Sequence, residues 1–272
     1  MSSDPPRRLA RAFASRQGRA GLIPFLTAGY PDLESSAAMI RVAAESGALA
    51  IEIGIPFSDP IADGGDIQRS SEHAVRSGVD VSAVLELVKG ARAAGIDSLP
   101  IVLMTYTNPV VRFGVERFAR EARDAGADAV ILSDLPPEES PEIWGALDAA
   151  GLDTVVLVAP TTPDARLPLL MARARGFAYC LARTGVTGAG GGEAGDVSQR
   201  IAAIRRHTQL PIAVGFGISN AEQARKLASG ADAVIVGAAF MRAIASSHDA
   251  KGAIEAFGKL SRELAGALVA SE

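Results

Sequence analysis

The chain has 272 residues, a formal net charge of −4, 48% hydrophobic residues and 21% charged ones. Such a chain can bury a sizeable core without disulfide staples. The mild charge and the lack of any basic block interleaved with aromatics argue against a nucleic-acid or membrane partner.

The start carries no apolar signal-peptide core, and no run approaches the ~18 apolar residues of a membrane helix. Cys180 is the single cysteine. It excludes an internal disulfide and fits a reducing, cytoplasmic compartment. The first expected element is a helix from about Arg7 to Arg16. Strand one follows near Leu22, then an amphipathic helix from Leu33 to Ser46 and strand two near Leu49. Further strands are expected near Ile101, Ala129, Thr154, Phe177, Ile212 and Ala233. Helices such as Val115 to Ala125 and Ala221 to Ala228 separate them, and a last helix runs from Ala250 to Val269. One local device recurs. A helical stretch ends in glycine, the usual residue of a left-handed helix end, and a short β-branched run follows, as in a buried parallel strand. Gly126, Gly151 and Gly176 stand 25 residues apart, room for one strand, one helix and two short loops. Strands alternating with helices imply a parallel sheet with helices outside. Eight units point to a single-domain (β/α)8 TIM barrel over residues 1–272, with the extra N-terminal helix across its bottom. A doubly wound sheet is the alternative that the pattern leaves open.

In a barrel, chemistry gathers at the C-terminal ends of the strands. Alternation along strand two turns Ala50, Glu52 and Gly54 inward and Ile51 and Ile53 toward the helices. A carboxylate in an apolar interior is costly unless paired. Burial also raises its pKa, which suits a general acid/base; the alternative is a structural Glu bonded to amides or a basic neighbour. In the next loop, Asp59 before Pro60 reads as a turn residue. Asp66 reads as the N-cap of a helix from about Ile67 to Arg76. Asp63 has no evident structural duty. Tyr106 and Tyr179, near strand ends, can each bond a substrate or be satisfied within the core.

The glycine-rich stretch from Gly185 to Gly195, after strand six, reads as a lid or as a plain loop. Gly215-Phe216-Gly217 follows strand seven, and Gly237-Ala238-Ala239 opens a helix after strand eight. Both can bring backbone N–H groups to a phosphate. His73, His207 and His248 lack metal-ligand spacing, and Cys180, in an apolar run, reads as core. Trp144 reads as packing on an outer helix. Lys89, Lys226, Lys251 and Lys259 fall on expected helices, which argues against a Schiff-base aldolase.

Several of these segments, in order, resemble the alpha subunit family of tryptophan synthase. The most specific runs from Glu52-Ile53-Gly54-Ile55-Pro56-Phe57-Ser58-Asp59 through Pro60-Ile61-Ala62-Asp63-Gly64 to Ile67-Gln68. Pro24 to Pro31, Met104 to Pro109, Asp134 to Glu139, Gly185 to Gly188 and Gly215 to Ser219 support it, so the likeness spans nearly the whole chain. The resemblance implies reverse-aldol cleavage of indole-3-glycerol phosphate to indole and glyceraldehyde 3-phosphate, with no metal or organic cofactor. It implies Glu52 as the acid/base, Asp63 as the carboxylate facing the indole N–H, and Tyr179 as a residue orienting Glu52 or the substrate. Thr187 would join Asp63 as the lid closes, Phe25 and Phe216 would flank the indole ring, and the amides of Gly188, Gly217, Gly237 and Ala238 would hold the phosphate. It also implies a beta-subunit partner in an alpha2-beta2 heterotetramer. That partner carries pyridoxal phosphate, receives indole through a tunnel, and meets the face bearing Pro56 to Asp63, Asn108 and Pro136.

Two departures stand out. The family has Gly-Pro after the second catalytic Asp, and this chain has Gly64-Gly65-Asp66. The family has Gly-Ser-Ala at the phosphate, and this chain has Gly237-Ala238-Ala239. The first loosens the loop and sets a second negative charge beside Asp63, which would raise its pKa. The second removes a hydroxyl donor. A mainly regulatory binding subunit, a stand-alone indole-releasing lyase and an unrelated phosphate-binding barrel are the competing readings.

Overall fold

The glycines that the sequence places after helices do take left-handed conformations: φ is 75° at Gly47, 98° at Gly126, 84° at Gly151, 72° at Gly176 and 85° at Gly230. Each turns the chain from a helix back toward the axis of the molecule. The computed structural model describes residues 7–16, 18–182, 194–215, 218 and 220–269.

The strands are β1 (Gly21–Thr27), β2 (Ile51–Gly54), β3 (Ile101–Thr105), β4 (Ala129–Leu132), β5 (Asp153–Val158), β6 (Ala178–Leu181), β7 (Ile212–Gly215) and β8 (Ala233–Val236). They form a closed barrel in sequence order. Every pairing is parallel, and β8 returns to β1 with Gly21 opposite Ala233 and Pro24 opposite Val236. The doubly wound alternative is thereby excluded. The helices are α1 (Arg8–Ala14), α2 (Leu33–Glu45), α3 (Gly65–Arg76), α4 (Val81–Ala93), α5 (Thr107–Phe113), α6 (Val115–Ala125), α7 (Pro141–Ala149), α8 (Leu167–Arg173), α9 (Ala194–Arg205), α10 (Ala221–Ala228), α11 (Ala238–Ala245) and α12 (Ala250–Val269).

Their starts follow local chemistry. The side chains of Asp32, Asp80 and Asn220 accept hydrogen bonds from the amides of Ser35, Ala83 and Gln223, capping α2, α4 and α10. The expectation for α3 needs correction. The helix starts at Gly65 with Gly64 as its N-cap, so Asp66 lies inside the first turn rather than capping it. Two successive glycines let the chain enter the helix earlier than the side-chain pattern suggests. The regular part of β2 also starts later than expected, although the Leu49 amide already donates to Leu22 O at 2.8 Å.

The bottom of the barrel is held by carboxylates that precede strands. Asp128 accepts from Arg8, from Arg92 at 2.9 Å and from the Ile101 amide at 2.8 Å. Asp232 accepts from Arg16 at 2.5 Å, from Arg205 at 2.6 Å and from the Ile212 amide at 2.7 Å. Arg7 reaches Asp153 at 2.5 Å. Between these charges α1 buries Leu9 and Phe13, and Phe13 meets the Phe177 ring at 5.7 Å. The expected N-terminal helix is therefore a plug bonded to the start of three strands. The opposite end is left for chemistry.

Candidate active site

Glu52 and Phe25 are register partners on β2 and β1, so their side chains emerge together at the mouth of the barrel. Glu52 is 1% exposed and Phe25 is 4% exposed. The loop after β2 brings Asp63, 5% exposed, to the same place. This loop is a built structure. Asp63 N donates to Pro60 O at 3.0 Å. Gln68 donates from its side chain to Asp63 O at 2.9 Å. The Phe57 amide and carbonyl both bond to Ser71 Oγ at 2.9 Å.

A cleft of about 470 Å³, open mouth included, is lined by Phe25, Glu52, Asp63, Tyr179, Gly237 and Ala238, with Ile67, Met104, Ile218 and Ile235 completing its apolar wall. Two glycines make room in it. A Cβ on Gly54 would lie 2.6 Å from Phe25 Cζ, and a Cβ on Gly215 would collide with the Tyr179 hydroxyl. The aromatic ring of Phe25 and the phenol of Tyr179 thus occupy space that a side chain on the neighbouring strand would fill.

Burial governs the electrostatics. It lifts the Glu52 carboxyl from 4.5 to about 8, and the nearby charge of Asp63 adds to the rise. Burial likewise raises Asp63 from 3.8 to about 6, while a hydrogen bond from Tyr106 pulls it back down. That bond runs from Tyr106 Oη to Asp63 Oδ2 at 3.0 Å, and the Tyr106 hydroxyl itself accepts from the Ala62 amide at 3.0 Å. The Tyr106 and Tyr179 phenols are pushed up by burial first, then by the carboxylates facing them. Glu52 Oε2 and Asp63 Oδ1 are buried without a partner among the described residues. The cleft therefore holds one carboxyl that keeps its proton at neutral pH beside one that gives it up, the separation that acid/base chemistry requires.

Of the sequence-derived candidates, Glu52, Asp63, Tyr179, Phe25, Gly237 and Ala238 meet in this cleft. Thr187, Gly188, Phe216, Gly217 and most of the glycine-rich stretch lie outside the described residues. Tyr106 was open between two readings, and its bond to Asp63 joins positions 43 residues apart, which no local pattern foretells. The expected effect of Asp66 on Asp63 is corrected. Its carboxylate is paired with Arg69 and, at 2.7 Å, with Arg242, and it is not among the groups that shift Asp63. Cys180 is buried, and burial raises its thiol to about 12, so it is core. Trp144 is 1% exposed on α7. The lysines lie on α4, α10 and α12. Among the described residues no helix is long and apolar enough to cross a membrane.

The family described as tryptophan synthase alpha chain matches residues 12–268. The tryptophan synthase alpha chain of Geobacter sulfurreducens is 46% identical over 237 residues, covering 86% of this chain and 89% of that one. The counterpart in Laribacter hongkongensis is 48% identical over 227 residues, covering 84% and 86%. Among solved structures, tryptophan synthase subunit alpha from Legionella pneumophila superposes with a TM-score of 0.88 at 32% identity, covering 97% of this chain and 99% of that one. A Mycobacterium tuberculosis tryptophan synthase chain gives 0.87 at 36% identity with the same coverage.

Proposed function

The chain belongs to the tryptophan synthase alpha chain family, whose members cleave indole-3-glycerol phosphate to indole and glyceraldehyde 3-phosphate, and we propose that Glu52 and Asp63 carry that cleavage here. The observation that carries the proposal is the pair of buried carboxyls with separated proton affinities in one apolar cleft.

Protonated Glu52 delivers its proton to indole C3. The ring becomes an indolium whose positive charge centres on N1, and ionised Asp63 faces that N–H. In a closed, low-dielectric site such a charge is stabilised far more than in water. Glu52, now a carboxylate, takes the proton from the hydroxyl on the carbon attached to C3. The carbon–carbon bond breaks, its electrons return to the ring, and the aldehyde of glyceraldehyde 3-phosphate forms. Glu52 ends as it began, protonated. Tyr179, whose hydroxyl lies over Gly215, orients Glu52 or the substrate, and Phe25 lines one face of the indole slot. The phosphate rests on the amides of Gly237 and Ala238, where α11 begins and the helix dipole favours an anion. Thr187, Gly188, Phe216 and Gly217 complete the site in this proposal.

The partner is a beta subunit in an alpha2-beta2 assembly, and pyridoxal phosphate belongs to that subunit. Two exposed apolar side chains support docking at this end of the barrel: Ile61, 77% exposed in the loop before Asp63, and Val111, 52% exposed on α5. The test is indole release from indole-3-glycerol phosphate by the purified chain, alone and with a tryptophan synthase beta subunit. Slow release that rises sharply with the partner, and is lost in Glu52→Gln and Asp63→Asn, is the expected result. Fast release indifferent to the partner would point to a stand-alone lyase, and no release by the folded chain would reject catalysis.

A further inference from the structure

The start of α3 holds the main chain of Asp63. The amides of Ile67 and Gln68 donate to Gly64 O at 3.0 and 2.9 Å, and the Gln68 side chain donates to Asp63 O at 2.9 Å. Only Gly64 and Gly65 separate Asp63 from Asp66. These bonds fix Asp63 relative to α3, so where Asp63 sits in the cleft depends on where α3 itself is held. Asp66 supplies a fixed point. Its Oδ1 accepts from Arg69 on the same helix, and its Oδ2 accepts from Arg242 Nη1 at 2.7 Å. Arg242 lies on α11, whose N-cap Gly237 and first residue Ala238 line the same cleft as Asp63. Ile67 on α3 also stands close to the N-cap of α11: a Cβ on Gly237 would lie only 3.3 Å from Ile67 Cδ1.

We propose that the Asp66–Arg242 ion pair is a strut between the two halves of the site, and that Arg242 is a positioning residue for the cleavage. By tying α3 to α11 it sets Asp63 at a fixed distance from the phosphate-binding amides. A substrate held by its phosphate then presents its indole N–H to a carboxylate already in register. The strut rests on the reading above that the phosphate sits at the start of α11. Arg69 is a local partner within α3 and cannot perform this task, because it spans no gap between helices.

The test is steady-state indole release by the full chain with its beta partner, together with inhibition by inorganic phosphate. It compares Arg242→Gln, Asp66→Asn, the double variant and Arg242→Lys. The pair is partly exposed, with side-chain exposures of 45% and 15%, so each single neutral variant is expected to lose about two- to fivefold in kcat/KM. The loss should appear in kcat as well as KM. The double variant should be no worse than either single one, and Arg242→Lys should recover most of the activity. A role in stability alone would lower the melting temperature and leave the constants of the folded enzyme unchanged. Unchanged constants in Arg242→Gln, or losses that add in the double variant, would overturn the strut. Asp63→Asn in the same assay separates the two levels. If it is inactive while Arg242→Gln is normal, only the strut fails; if it is fully active, the catalytic reading itself fails.

Discussion

Replacing Tyr106 by Phe removes one hydroxyl and leaves the ring in place. In the native cleft that hydroxyl donates to Asp63 Oδ2 at 3.0 Å and holds the carboxyl, lifted by burial, to about 6. A hydrogen bond to a charged group contributes about 1.5 kcal/mol at the low end, close to the 1.4 kcal/mol that moves a titration by about one pH unit. Without it Asp63 titrates near pH 7. A carboxyl with its midpoint at 6 is about 90% ionised at pH 7, and one with its midpoint at 7 is about half ionised. The expected loss in kcat/KM is thus about twofold at pH 7, about fivefold at pH 6 and negligible at pH 8 and above. The assay is kcat/KM for indole release from pH 5 to 9. The native enzyme should give a bell with limbs near the Asp63 and Glu52 values, about 6 and about 8. Tyr106→Phe should move the acid limb alkaline and leave the other where it is, narrowing the bell. An equal loss at every pH, with the acid limb unmoved, would show that Tyr106 does not act through the ionisation of Asp63.

Glu52→Gln should abolish indole release yet stabilise the fold. The folded-state pKa of Glu52, about 8, lies above its ordinary 4.5, so its stabilising proton is fully present below about 4.5 and lost as pH rises through about 8. Gln pays no such penalty, and the gap in unfolding free energy should grow from about 1 kcal/mol at pH 5 to about 5 kcal/mol at pH 9; a gap constant with pH would contradict the burial argument. Gly54→Ala would put a methyl 2.6 Å from Phe25 Cζ, so the ring must leave its place in the cleft, the slot proposed for indole. KM should rise several-fold with the overall fold intact by circular dichroism, and an unchanged KM would remove Phe25 from the slot. Ala238→Ser adds a hydroxyl donor at the α11 start and should lower KM for the phosphorylated substrate; no change would mean that the amides alone suffice.

Much of the barrel was legible because its signals are local. A glycine with positive φ, a β-branched run and an N-capping Asp act within a few residues, so α2, α6, α10 and α12 end close to where the pattern put them. Glu52 was legible for the same reason: alternation of side chains in a strand is a property of the backbone. What the pattern could not supply was anything decided between strands. Tyr106 reaches Asp63 from the next β/α unit, and Asp66 reaches Arg242 across 176 residues. A carboxylate at the start of a helix looks like a cap when its side chain in fact pairs with Arg69 one turn on and with Arg242 far along the chain. The Gly64-Gly65 pair also misled, because glycine is a poor helix former by propensity, and here tertiary contacts, not propensity, start the helix.

The ion pairs under the barrel also say something about the order of manufacture. Arg8, Arg7 and Arg16 bond to carboxylates 120, 146 and 216 residues downstream. Synthesis runs from the N-terminus, so α1 is made before every carboxylate it binds, and Asp232 is the last of the three to exist. Leu9 and Phe13 lack their seat beside Gly176 and Phe177 until the chain has been made that far, and the floor closes only when β8 meets β1. The nascent chain therefore carries an unsatisfied apolar helix while β1 to β5 are made, a long interval in which a holding chaperone has something to hold. A helix made before the strands is thus locked in place only after the last strand exists.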